Sequence, residues 1–288
     1  MHFTDAKTLL SRYNGMNIYR GCAHGCIYCD SRSECYQFTH AFEDIEVKQN
    51  APQLLEQILS SKKTRFMIST GSMSDPYQPC EKELRMTQKC LEVIEKHGFG
   101  ASVITKSDLV LRDIDLFQRI NEKAKAVLQM TLTIADEKLS RKIEPGVCPS
   151  RRRYEVLKAF QERGIPAVVW MTPLLPHLTD TEENVRQILE YCFDAGVKGI
   201  ICFNAGMTLR SGSREYYYQN LDRLFPGLSA VYQREYGNSY EINSADQHKL
   251  MRIFHEECEK HGVLHTPQAY FSWIAEMPQR YEQIHLDL

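Results

Sequence analysis

Asn17-Ile18-Tyr19-Arg20-Gly21-Cys22-Ala23-His24-Gly25-Cys26-Ile27-Tyr28-Cys29-Asp30 holds three cysteines spaced Cys-x-x-x-Cys-x-x-Cys. A cubane iron–sulfur cluster has four irons and normally takes four cysteine thiolates. Three thiolates from one tight loop hold three corners and leave the fourth iron open to a ligand that is not protein. Cysteine clusters with short spacers also bind zinc, and Cys35 or His24 is then the fourth ligand on offer. Structural zinc sites usually come as two separated pairs, however, and no second CxxC pair follows. The spacing therefore favours the cluster with an open iron over zinc, and a disulfide is the weakest reading.

An open, redox-active iron is what S-adenosylmethionine (SAM) needs for reductive cleavage, and SAM and iron–sulfur centres are cofactors of radical chemistry that side chains cannot perform. With an aromatic residue, Tyr28, directly before the third cysteine, the loop resembles that of the radical SAM superfamily. The resemblance implies a 4Fe-4S cluster held by Cys22, Cys26 and Cys29, with Tyr28 beside the adenine of SAM. It also implies cleavage of SAM to methionine and a 5′-deoxyadenosyl radical that abstracts hydrogen from a substrate.

The chain has 288 residues, 43% of them hydrophobic and 25% charged, which suffices for a substantial core. A formal net charge of −2 supplies no global positive field for nucleic acid. The first residues lack a secretory apolar run, and no segment approaches membrane-spanning length. Ten cysteines without such a signal fit the cytoplasm, where thiols stay reduced. Cys90, Cys192, Cys202 and Cys258 fall in helix- or strand-like patterns and read as small core residues.

Strand-like and helix-like segments alternate. Strands are expected over 15–21, 65–72, 101–107, 126–133, 167–171 and 198–205. Helices are expected over 52–61, 81–96, 113–123 and 151–162, and after a capping box at Asp180 and Glu183. Repeated βα units with apolar strands imply a parallel sheet buried on both faces. Six units fit the partial, three-quarter barrel of radical SAM enzymes, an α/β fold. The expected division is a barrel core over 1–211 and a tyrosine-rich, mostly helical extension over 212–288 packed on it.

Barrels of parallel strands place chemistry at the strands' C-terminal ends. After the second strand, Gly71 offers close backbone approach, with Ser72, Ser74 and Asp75 as polar partners for SAM and Tyr77 as a candidate catalytic residue. Lys106 ends the third strand and suits the SAM carboxylate. Thr131 and Thr133 end the fourth, on one face by alternation, and are further candidates for binding SAM, with strand packing the competing reading. Before the fourth helix come Glu144 and Cys148, candidate catalytic residues, and the run Arg151–Arg153. Three arginines at a helix start oppose its dipole, which hints at a bound carboxylate or phosphate; a solvated charge run is the alternative. Cys148 is the candidate hydrogen-atom donor, with loop packing the competing reading.

Beyond the cysteine loop, Ser74–Pro79, the stretch from Glu144-Pro145 through Arg151–Phe160, and Pro173–Asp180 resemble the spore photoproduct lyase-like branch. That likeness spans roughly 15–205 and supports Tyr28, Ser72, Ser74 and Lys106 as SAM contacts. Two departures stand out. The lyases have a cysteine donor near the end of the second strand and a relay tyrosine after the third cluster cysteine; Ser72 and Asp30 stand at the corresponding positions here. A serine O–H is far harder to homolyse than a thiol S–H. The expectation is thus a substrate other than the DNA photoproduct, with a flavodoxin- or ferredoxin-like electron donor and no membrane partner. A nucleic-acid repair lyase and a non-catalytic zinc- or iron-binding protein remain the alternatives.

Overall fold

Six parallel strands, Gly15–Met16, Met67–Thr70, Gly100–Thr105, Ala126–Thr131, Ala167–Trp170 and Gly199–Ile201, pair in chain order to form one sheet. The computed structural model describes residues 1–278, so the last ten residues of the expected extension lie outside it. Every crossover carries helix: Ala51–Ser60, Met86–His97, Ile114–Lys123, Ser150–Glu162 and Glu182–Asp194 follow the first five strands in turn. An order without reversal is that of a singly wound sheet rather than a doubly wound one, and it agrees with the partial barrel expected from the sequence.

The apolar runs explain the central strands. All six residues of Ala126–Thr131 are buried, as in a strand covered on both faces. Val103, Leu128, Met130, Val169 and Ile200 pack in one core with Leu55, Leu91, Phe117, Phe160 and Leu189 of the helices. Cys90, Cys192, Cys202 and Cys258 are buried and free, as small apolar residues would be.

The first expected strand is two pieces. Gly15–Met16 joins the main sheet, whereas Tyr19–Arg20 pairs antiparallel with Glu46–Val47 in a separate three-stranded sheet completed by His2–Thr4. The chain leaves the main sheet at Asn17, so the cysteine loop springs from the small sheet. The expected helix over 81–96 is also broken, at Arg85, where φ is 53°. The buried Glu81 carboxylate explains the break. It accepts the Thr87 N–H at 3.0 Å and Arg112 Nη2 at 2.7 Å, stabilising the start of the second helix from outside it. Thr181, not a box of Asp180 and Glu183, caps Glu182–Asp194 by accepting the Asn184 N–H at 3.2 Å.

Past residue 211 lie helices Ser213–Leu224, Leu228–Tyr236, Gln247–Lys260 and Pro267–Ala275. The segment is not helical throughout: Glu241–Asn243 pairs antiparallel with Gly206–Thr208, and Leu264 bonds to the edge strand, accepting the Ile200 N–H at 2.7 Å. No helix among the described residues is long and apolar enough to cross a membrane.

Candidate active site

The cysteine loop is held by backbone bonds to segments distant in sequence. Cys22 donates its N–H to Phe42 O at 3.1 Å, and Ile27 to Ile143 O at 3.0 Å. Gly146 donates to His24 O at 2.9 Å, and Ala23 to Gln78 Oε1 at 3.1 Å. Below the loop opens a cavity of about 570 Å³ at the C-terminal ends of the strands, where the fold exposes chemistry. Cys22, Cys26 and Cys29 line one part of it, all three as free thiols.

Asp75 organises the floor. One carboxylate oxygen accepts Thr105 Oγ1 at 2.7 Å and the Tyr77 N–H at 2.8 Å. The other accepts the Lys106 N–H at 2.8 Å and faces His24 Nδ1 at 3.4 Å. Burial favours the neutral acid, but His24 and these donors outweigh it and hold the carboxyl at about 2. Burial works against the imidazolium too, and Asp75 overcomes it, lifting His24 to about 10. The two groups thus form a buried ion pair that ties the cysteine loop to the second and third strand ends.

Gly71 has φ of 102°, and a Cβ there would meet the Ile104 carbonyl oxygen at 2.0 Å, so only glycine lets these two strand ends approach. Lys106 projects into the cavity with Nζ 5.7 Å from the centre of the Tyr28 ring. Among the described residues its ammonium has no hydrogen bond or ion pair, leaving it available to an anion. Burial lowers its pKa, yet Cys26 and Glu144 more than offset this and keep it cationic. Burial raises the Cys26 and Cys29 thiols, with Lys106 opposing in both. Cys22 also loses hydration, but His24 pulls its thiol below the ordinary value.

The donor set fits a cluster better than a single zinc. Among the described residues, no three Cys, His, Asp or Glu donors at this loop lie within 4.8 Å of one another. Tetrahedral zinc, with bonds of about 2.3 Å to sulfur, would draw its ligands closer than that. A cubane spreads its thiolates over separate irons. Of the fourth ligands suggested for zinc, His24 faces Asp75 as an imidazolium with no lone pair to give, and Cys35 is exposed, accepting from Arg210 Nη1 at 3.2 Å.

Tyr28, Gly71, Ser72, Ser74, Asp75, Lys106 and Thr131 line the same cavity as the three cysteines. Thr133, Tyr77, Glu144 and Cys148 lie outside its lining. The fourth strand ends at Thr131 and Thr133 lies beyond it, its hydroxyl buried with no hydrogen-bond partner among the described residues. Tyr77 sits in the core and donates to Asp113 Oδ2 at 2.9 Å. Glu144 is buried between the Tyr28 hydroxyl and Arg153, and Cys148 donates to Lys106 O at 3.2 Å. The arginine run has carboxylate partners within the chain: Arg153 pairs with Glu144, and Arg152 with Asp108 at 2.9 Å.

Sequence reasoning passed over Trp170, Phe203, Asn204, Thr208 and Glu241, which also line the cavity. Asn204 follows the sixth strand, so the strand-end rule applied once more would have found it. Glu241 comes from the extension, 37 positions further on, and nothing local marks it.

The radical SAM superfamily model matches residues 16–192, more than half of the chain. The chain belongs to the radical SAM superfamily. As a radical SAM protein it is read as an enzyme. It is 29% identical over 243 residues to an uncharacterized protein of Mycobacterium tuberculosis, covering 81% of this chain and 69% of that one. With an uncharacterized protein of Methanocaldococcus jannaschii it shares 34% identity over 169 residues, 58% of this chain and 62% of the relative. A radical SAM Nα-GlyT isomerase of Pseudomonas phage M6 is 22% identical over 182 residues, 62% of this chain and 36% of the phage protein. Among solved structures, spore photoproduct lyase complexed with dinucleoside spore photoproduct superposes with a TM-score of 0.65. That match covers 91% of this chain and 80% of the lyase at 13% identity, a likeness of fold.

Proposed function

We propose that this protein is a radical SAM enzyme that holds a 4Fe-4S cluster through Cys22, Cys26 and Cys29 and binds SAM in the adjoining cavity. The observation carrying the proposal is the meeting of three free thiols, a glycine-bounded strand end and the unpaired Lys106 ammonium around one cavity. When bound, cluster and SAM supply a reductively generated 5′-deoxyadenosyl radical that abstracts hydrogen from a substrate carbon.

The chain's own residues bind and orient. Lys106 pairs with the methionyl carboxylate, a charge-assisted contact strengthened by burial. The backbone at Gly71 and the Ser72 and Ser74 hydroxyls take the amino group, and Tyr28, fixed by Glu144 and Arg153, presents its ring beside the adenine. The six-stranded sheet is on this reading the three-quarter barrel of 1–211, and the extension from 212 closes its open side and supplies Glu241 to the cavity. The substrate is one other than the spore photoproduct, and the reductant a cytoplasmic flavodoxin or ferredoxin.

Anaerobic reconstitution with iron and sulfide tests the proposal. The expected product is a brown protein with about four irons per chain, which converts SAM to methionine and 5′-deoxyadenosine after dithionite reduction. A protein that takes up only zinc and leaves SAM intact would overturn it.

A further inference from the structure

Away from the cavity, a second group of donors meets where the small three-stranded sheet joins the segment behind the cysteine loop. His2 and Glu46 are register partners on neighbouring parallel strands, so their side chains share a face. His40, from the intervening loop, closes the group, and one donor atom from each of the three lies within 4.8 Å of the other two.

The contacts around these residues engage Nδ1 of each histidine and leave each Nε2 without a hydrogen bond among the described residues. His2 Nδ1 is 3.0 Å from Asp44 Oδ2, and His40 Nδ1 is 2.9 Å from Ala41 O. An acceptor at each Nδ1 favours the tautomer with hydrogen there, which leaves the lone pair on Nε2. Metal-bound histidines are oriented by this same outer contact to a carboxylate or a backbone carbonyl. Glu46 is fixed likewise, its Oε1 accepting from Thr4 Oγ1 at 3.2 Å. His40 Nε2 is buried and has no hydrogen-bond partner among the described residues. It stands 3.7 Å from Glu46 Oε2, too far for a hydrogen bond but within span of one ion bonded to both at about 2.0–2.2 Å.

We propose that His2, His40 and Glu46 form a second metal site that binds a divalent transition cation such as Zn²⁺. Two imidazoles and one carboxylate suit zinc and its first-row neighbours rather than magnesium or calcium. Bound there, the ion cross-links the His2–Thr4 strand to the loop carrying Phe42, whose carbonyl receives the Cys22 N–H at 3.1 Å. Its role is to brace the wall behind the cluster loop, independently of what the cavity does.

The test uses the whole chain, freed of any affinity tag, reconstituted anaerobically and dialysed against Zn²⁺ alone. Metal analysis should find one zinc per chain in addition to the iron, and zinc should raise the melting temperature. His40→Ala and, more conservatively, Glu46→Gln should each weaken zinc binding by more than the roughly ten- to hundredfold expected for losing an outer-shell partner. Both variants should keep their iron and visible absorbance. No additional zinc in the parent protein, unchanged affinity in both variants, or zinc gained only as iron is lost would overturn the proposal.

Discussion

Gly146 donates its N–H to the carbonyl oxygen of His24 at 2.9 Å, and a Cβ at position 146 would lie 2.6 Å from that oxygen. The loop before the fourth helix is therefore clamped onto the cysteine loop through a contact only glycine permits. Gly146→Ala should force the two loops apart, at a cost of about 1–3 kcal/mol, the usual range for overpacking. Melting temperature and iron retention should both fall; a variant with parental values of each would show that the clamp is unnecessary.

Cys26→Ala removes one of three thiolates from the cluster loop. SAM cleavage should vanish, and the reconstituted protein should lose its visible absorbance. The far-ultraviolet circular dichroism should stay, because the sheet core does not depend on this sulfur. Retention of cleavage activity would exclude Cys26 as a ligand.

Lys106→Met keeps most of the side-chain bulk and deletes the free cation. If Lys106 pairs with the SAM carboxylate, affinity should drop by about 1.5–3 kcal/mol, or roughly 10- to 150-fold. Equilibrium dialysis against SAM measures this directly. Cluster content should be unaffected, which separates loss of a SAM contact from loss of the cluster.

Arg153 and Glu144 form an ion pair with both side chains fully buried. Removing one partner strands the other charge, so Arg153→Leu should cost about 3–5 kcal/mol in a denaturant melt. Burial alone would raise the Glu144 carboxyl, but Arg153 and Lys106 hold it below its ordinary value, and Asp75 sits at about 2. Depressed folded values mean that the stability these carboxylates contribute is fully present above their unfolded values, near pH 4. It is lost as pH falls from there toward about 2. Acid titration of the apoprotein should find the midpoint for loss of structure in that window. In Arg153→Leu, where Glu144 no longer has its principal cation and burial raises its carboxyl, the Glu144 share of this acid dependence should shrink or change sign.

Dinucleoside spore photoproduct offered to the reconstituted enzyme should not be repaired. Ser72 lines the cavity at the strand end where the resemblance places a thiol donor, and serine cannot return a hydrogen atom as a thiol does. Turnover to thymidine products would contradict this expectation and revive the repair reading.

What lay within short windows of sequence could be read from it. The cysteine spacing fixed the candidate ligands because three thiols in eight residues must stay together however the chain folds. Apolar runs such as Ala126–Thr131 and helical repeats such as Val185, Ile188, Leu189 and Cys192 gave the order of strands and helices, since periodicity reports which face is buried. Pairings between distant segments were decided only by tertiary structure. Tyr19–Arg20 left the main sheet because Glu46–Val47 offered it a partner, and Glu81 broke its helix because its carboxylate caps the next one. Glu144 and Arg153 read separately as a candidate catalyst and a charge run until packing joined them. Glu241 reached the cavity through strand pairing with Gly206–Thr208. Local spacing and periodicity are properties of consecutive residues, whereas a buried charge takes its meaning from whichever remote group close packing sets beside it.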